Sequence, residues 1–141
     1  MKILILNGVN LNLTGIREKG IYGSLTLDEI NEKIKKECEI KGVECEFYQS
    51  NHEGDIVDKL HEARTKYDGA ILNAGAFTHY SYGIHDAIVA AEIPVIEVHM
   101  SNVHKREEFR HKSVISPACK GVICGFGYKS YILGVEALID A

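Results

Sequence analysis

The chain has no uninterrupted apolar stretch near the roughly 18 residues of a membrane span, which argues against a helical membrane protein. It also has no excess of basic charge. Lys and Arg number 16 against 20 Asp and Glu, for a formal net charge of -4. A nucleic-acid or membrane-surface partner would favour the opposite sign. The four cysteines, Cys38, Cys45, Cys119 and Cys124, match neither a zinc spacing nor C-x-x-C. The opening MKILILNGVN has a short apolar run but no full signal-peptide core and no small-residue cleavage site, so it reads as a buried strand. These absences set the expectation of reduced thiols in a cytoplasmic protein.

At 141 residues, 45% hydrophobic and 26% charged, the chain has the composition of one ordinary globular domain covering residues 1–141. It is far too short for a (β/α)8 barrel, which takes about 250 residues. Strand-like apolar runs alternate with helical ones. KILILN, VECEFY, GAILNAG, PVIEVH and GVICG read as five strands. TLDEINEKIKKECEIKG reads as a helix with a Thr26/Glu29 capping box and Gly42 at its end. Ser50 and Glu53 repeat that spacing before GDIVDKLHEARTKY, and YSYGIHDAIVAAE and YKSYILGVEALIDA are further helices. Apolar strands alternating with helices predict an α/β, flavodoxin-like three-layer sandwich whose parallel sheet has the order 2-1-3-4-5.

Ligands of such sheets bind outside the carboxyl ends of the strands. Asn7, Asn10, Asn12, Arg17 and Tyr22 follow the first strand; Asn73, Thr78 and His79 follow the third. His99, Ser101, Asn102, Arg106 and Arg110 follow the fourth. The sheet order brings these three groups to one edge, with acid, base, amide and guanidinium functions. Blander readings stand beside this one. NGVNLN also suits a turn in which Asn side chains bond their own backbone. His99 also suits a structural histidine, and GIREKGIYG suits either a surface turn or a mobile lid. LNAGAFTH lacks the spacing of a phosphate loop or dinucleotide fingerprint, and His99, His104 and His111 lack ligand spacing for a metal. HKREEFRHK is by default a solvated face. On a helix, however, its arginines Arg106 and Arg110 would share one side and suit a small carboxylate.

LNGVNLNLTGIREKGIYG, LNAGAFTHYSYGIHDAI and VIEVHMSNVHKREEFRHKSVIS resemble, in order and spacing, segments of type II 3-dehydroquinate dehydratase, from about Ile3 to Leu138. The resemblance implies a flavodoxin-like fold, no metal and no cofactor. It implies removal of water from 3-dehydroquinate to give 3-dehydroshikimate, in aromatic amino-acid biosynthesis or in quinate breakdown, with the biosynthetic role ranked first. Tyr22 matches the general base and Arg17 the lid arginine that favours its phenolate. Asn10 matches the residue holding a water at the enolate oxygen, and His99 the acid. Asn73, His79, Ser101, Arg110 and the Met100 amide match substrate-binding positions. Asp86 matches a residue supplied by a neighbouring subunit, within trimers that build a homododecamer. Two positions depart from the pattern: Val9 stands where proline is usual, and Ala90 where some relatives carry a carboxylate.

The implied chemistry is physically coherent. A phenol titrates near 10, and a base working near neutrality needs a value about 3 units lower, roughly 4 kcal/mol of preference for phenolate. A guanidinium a few Å away in a partly dry site supplies energy of that order. Gly15, Gly20 and Gly23 would let the lid carry Arg17 to Tyr22. The only lysines near the strand-end groups are Lys19, Lys105 and Lys112, on the lid and in the charged segment, so an imine-free route through an enolate is expected. A non-catalytic flavodoxin-like module that binds a nucleotide or flavin is the rival reading, and the missing phosphate loop counts against it.

Overall fold

The computed structural model describes residues 1–140. Its five strands are β1 (Lys2–Asn7), β2 (Glu44–Gln49), β3 (Gly69–Asn73), β4 (Val95–His99) and β5 (Gly121–Cys124). They form one parallel sheet in the order β2-β1-β3-β4-β5, as the alternation of patterns predicts. The helices are α1 (Lys19–Tyr22), α2 (Leu27–Ile40), α3 (Glu53–Lys66), α4 (Tyr82–Ala91) and α5 (Lys129–Ile139).

Both faces of the central strands are buried, because successive side chains point to opposite sides. Leu4, Leu6, Ala70 and Leu72 pack with Ile56 and Leu60 of α3 and Ile84 and Ile88 of α4. Ile3, Ile5, Ile71 and Val98 pack with Ile30 and Ile34 of α2 and Tyr131 and Val135 of α5. The strands therefore read as unbroken apolar runs rather than as alternating ones.

The Thr26/Glu29 capping box forms in both directions, and Gly42 follows the end of α2 at φ 71°. The second box does not form. His52, not Ser50, precedes α3, and the Ser50 hydroxyl instead accepts from the His52 amide and donates to Asp55. Glu53 turns away to accept from Ser81, the residue that caps α4. The segment after β4 also differs from expectation. It is two short 3-10 turns, Val103–Lys105 and Glu108–His111, so Arg106 and Arg110 share no helical face.

Two glycines let the loops after β1 and β3 interlock. A Cβ on Gly8 would collide with the Ala74 carbonyl, and one on Gly75, at φ 62°, would sit 2.6 Å from the Val9 carbonyl. The Gly8 amide donates to the Asn73 carbonyl at 2.7 Å. This close approach brings Asn10 and Asn73 to one crevice.

Candidate active site

The crevice opens where the sheet rules place it, beyond the carboxyl ends of β1, β3 and β4. It is a narrow cavity of about 80 Å³. Asn10, Arg17 and Tyr22 line one part of it, Asn73 and His79 a second, and His99, Met100, Ser101 and Arg110 a third. The structure thus gathers nine of the ten expected residues. The exception is Asp86, fifth in α4, whose side chain is 83% exposed beside His85 and lies outside its own subunit's crevice. Asn12 faces a separate hollow on the other side of the Leu11–Leu13 turn. A larger, mainly apolar hollow of about 730 Å³ lies against Gly20–Gly23 and shares Tyr22, Met100, Ser101 and Arg106 with the crevice, but it lacks Asn10, Asn73 and His99.

Tyr22 ends the short helix α1 within the Gly15–Gly23 segment. Gly15 and Gly23 take left-handed backbone there, at φ 87° and 83°. Gly20 does not act as a third such joint; it lies inside α1. The guanidinium that meets the phenol oxygen is not that of Arg17. Arg106 Nη1 donates to the Tyr22 hydroxyl at 2.6 Å and to Ser101 Oγ at 3.3 Å. Arg17 instead stacks on the Tyr22 ring, 4.7 Å from its centre, and pairs with Glu18 at 2.9 Å. Arg106 also covers the ring, at 5.0 Å, and its Nε is buried without a hydrogen-bond partner. Tyr22 is therefore contacted by two guanidiniums, one hydrogen-bonded to its oxygen and both close to its ring.

Across the crevice, His99 and Glu97 lie two residues apart on β4 and so point to the same side. Glu97 is only 1% exposed and accepts from His99 Nε2 at 2.6 Å. Its other oxygen accepts from Ser113 at 2.9 Å and Ser116 at 2.6 Å. Burial alone would raise the Glu97 carboxyl. The bonds from His99, Ser116 and Ser113 outweigh that and hold it below the ordinary carboxylate range. An ionised Glu97 fixes a proton on Nε2 and orients the ring, leaving Nδ1 for exchange with a ligand.

His79 stacks on His99 with ring centres 6.4 Å apart, and its Nδ1 bonds the Lys112 carbonyl at 2.8 Å. Burial, helped by the neighbouring His99, pushes its pKa down despite that carbonyl, so the ring is neutral at pH 7. Nδ1 then carries the proton and Nε2 remains an acceptor. Arg110 pairs with Glu107 at 3.1 Å and stacks on Phe109. The Asn10 amide bonds Asn51 at 2.8 Å, with Asn10 itself in left-handed backbone at φ 67°. Gly75 cradles no phosphate: its amide is taken by the Asn73 side chain at 3.2 Å. Val9, where proline is usual, keeps Asn10 on the crevice wall.

Sequence reasoning paired Arg106 with Arg110 as a site for a small carboxylate and missed its contact with Tyr22. It left Glu97 without a role, although a lone charge in the apolar run VIEVH is itself a signal that something pairs with it. Ser113 and Ser116 carry no such signal.

Among the described residues, no three His, Cys, Asp or Glu side chains come together as a metal site. No lysine lines the crevice.

The class II dehydroquinase family model matches residues 1–139. A 3-dehydroquinate dehydratase of Caldicellulosiruptor bescii is 60% identical over 138 residues, 97% of this chain and 95% of the relative. One from Bacillus cereus strain AH187 is 55% identical over 139 residues, 99% and 95% of the two chains. The crystal structure of type II dehydroquinase from Butyrivibrio crossotus superposes with a TM-score of 0.96 at 52% identity, covering 99% of this chain and 97% of that one. A 3-dehydroquinate dehydratase-like protein from Bifidobacterium longum gives a TM-score of 0.75 at 31% identity, covering 99% and 96%. A chain matched over residues 1–139 by that family model, with its sheet order and a crevice of this composition, belongs to the class II dehydroquinase family.

Proposed function

We propose that this crevice removes water from 3-dehydroquinate to give 3-dehydroshikimate through an enolate. The observation that carries the reading is one narrow crevice lined by a phenol hydrogen-bonded to a guanidinium and by an imidazole bonded to a buried carboxylate. Tyr22, as phenolate, takes a proton from the carbon next to the ketone. The electron pair moves onto the ketone oxygen, where a water held by Asn10 stabilises the charge. Collapse of the enolate expels the hydroxyl, which leaves as water with a proton from His99. Arg110, Ser101 and the Met100 amide hold the substrate carboxylate, and Asn73 and His79 its hydroxyls. The proposed role is in aromatic amino-acid biosynthesis, in the cytoplasm. No cofactor is required, and no imine forms because no lysine faces the site.

The cavity is small for a substituted six-membered ring. Entry of substrate requires movement of Arg106 or the lid, which would also open the way to the larger hollow behind Tyr22. Purified protein, exhaustively chelated, should generate the conjugated-enone absorbance from 3-dehydroquinate and resist borohydride in the presence of substrate. Activity lost to the chelator and restored by a divalent ion would overturn the metal-free route. A substrate-dependent lysine adduct would overturn the imine-free one.

A further inference from the structure

We infer that Tyr131 is a positioning residue that anchors the Asn73 side-chain amide in the orientation the Gly75 N–H sets, through a buried relay of hydrogen bonds reaching Asn7, so that Asn73 presents an N–H to the substrate. The inference rests on the reading of the crevice as the substrate site.

An Asn amide can be placed in two ways, and they differ in whether a ligand meets a donor or an acceptor. At Asn73 one neighbour settles the choice. The Gly75 backbone N–H lies 3.2 Å from Oδ1. A backbone N–H is always a donor, so the amide oxygen must face it. The amide nitrogen then faces the Tyr131 hydroxyl, 2.9 Å away, which must accept. The hydroxyl's own proton is thereby directed to Asn7 Oδ1 at 2.6 Å. The polarity of the whole chain follows from the one donor that cannot invert. Asn7 and Asn73 are register partners on neighbouring strands, and Tyr131 reaches both of them from α5.

Burial keeps this arrangement unambiguous. Tyr131 is 0% exposed, and Asn7 and Asn73 are nearly so. Burial also pushes the Tyr131 phenol far above its ordinary range, so it stays neutral and can donate and accept at once. One proton of the Asn73 amide nitrogen is used by Tyr131. The second remains as the donor available to a ligand. Asn73 therefore offers the substrate an N–H rather than a carbonyl, which selects an oxygen acceptor at that position.

If Tyr131 served only to fill the core, losing its hydroxyl would lower stability and leave substrate binding alone. The test is steady-state kinetics on Tyr131→Phe, which keeps the ring and removes the relay. KM should rise about tenfold, the scale of one neutral hydrogen bond, with kcat within about twofold. Asn7→Ala, which removes the far acceptor without touching the crevice, should raise KM in the same direction. The double variant should be no worse than Tyr131→Phe. Unchanged KM in the folded variants overturns the proposal, and Asn7→Ala alone decides if Tyr131→Phe does not fold. The side-chain amide signals of Asn73 in NMR, assigned by their loss in Asn73→Asp, should shift in Tyr131→Phe whether or not the protein turns over 3-dehydroquinate. Signals that stay in place count against the relay, whereas a wild type without turnover counts against the proposed reaction.

Discussion

Arg106 and Glu97 show how a residue's role depends on what lies beside it rather than on its place in the chain. Both follow from contacts between segments distant in sequence: Arg106 meets Tyr22 across 84 positions, and Glu97 gathers Ser113 and Ser116 from a later loop. The identity of Tyr22, His99 and Asn10 as crevice residues was legible from strand-end position and family resemblance. The donor to the phenol was not, because GIREKGIYG places Arg17 near Tyr22 in sequence and the fold brings Arg106 closer to the oxygen. Arg106→Met keeps much of the side-chain volume and deletes the donor. It should lower kcat about 100-fold or more, the usual scale for one preorganised charge contact, as measured by the enone assay. A kcat within a few-fold of wild type would return the role to Arg17. Glu97 has a second, thermodynamic signature. Its carboxyl lies below the ordinary range in the folded state, so it contributes stability above about pH 4.3, and that stability is lost as pH falls through the folded value. Urea unfolding of Glu97→Gln between pH 5 and 3 should therefore show a shallower decline than wild type. Equal slopes would mean that the pairing with His99 does not favour the ionised form.

Helix α2 and the segment after β4 mark the limits of pattern reading for elements. The Thr26/Glu29 box was legible because both of its bonds are local and no distant group competes. The Ser50/Glu53 spacing was misleading because each side chain found a better partner: Ser50 took Asp55 and the His52 amide, and Glu53 took Ser81. The charged stretch HKREEFRHK lacks an apolar helical face. Its backbone is held instead by ring nitrogens: His111 bonds the Arg106 carbonyl at 3.0 Å, and His79 the Lys112 carbonyl. Thr26→Ala removes a helix cap away from the crevice. It should cost about 1 kcal/mol in denaturant unfolding, near the mean for such caps, while kcat stays at the wild-type value. A loss of activity without loss of stability would tie α2 to the lid more closely than its capping suggests.

For the whole molecule, the sheet order and crevice were readable from the alternation of patterns, while the assembly was not, since one chain's sequence does not state which faces meet. Asp86 lies at the middle of an exposed stripe on α4, with Tyr82 four residues before it and Val89 three after, 71% and 58% exposed. Apolar groups around an exposed carboxylate on one helical face suit a contact between subunits. We propose that Asp86 completes a neighbour's site within a trimer, and that trimers build a dodecamer. Asp86→Ala and Tyr22→Phe proteins, unfolded together and refolded as mixed oligomers, should then recover activity above either parent. Mixing confirmed by mass spectrometry without recovery would make each site self-contained. The central claim is that Tyr22 is the base in a crevice that dehydrates 3-dehydroquinate, and the enone assay on Tyr22→Phe tests it most directly. Only the proton acceptor is deleted. With the fold intact by circular dichroism, kcat should fall by about 10²–10⁴-fold, the usual contribution of a positioned base. A Tyr22→Phe protein with near wild-type kcat would contradict the account.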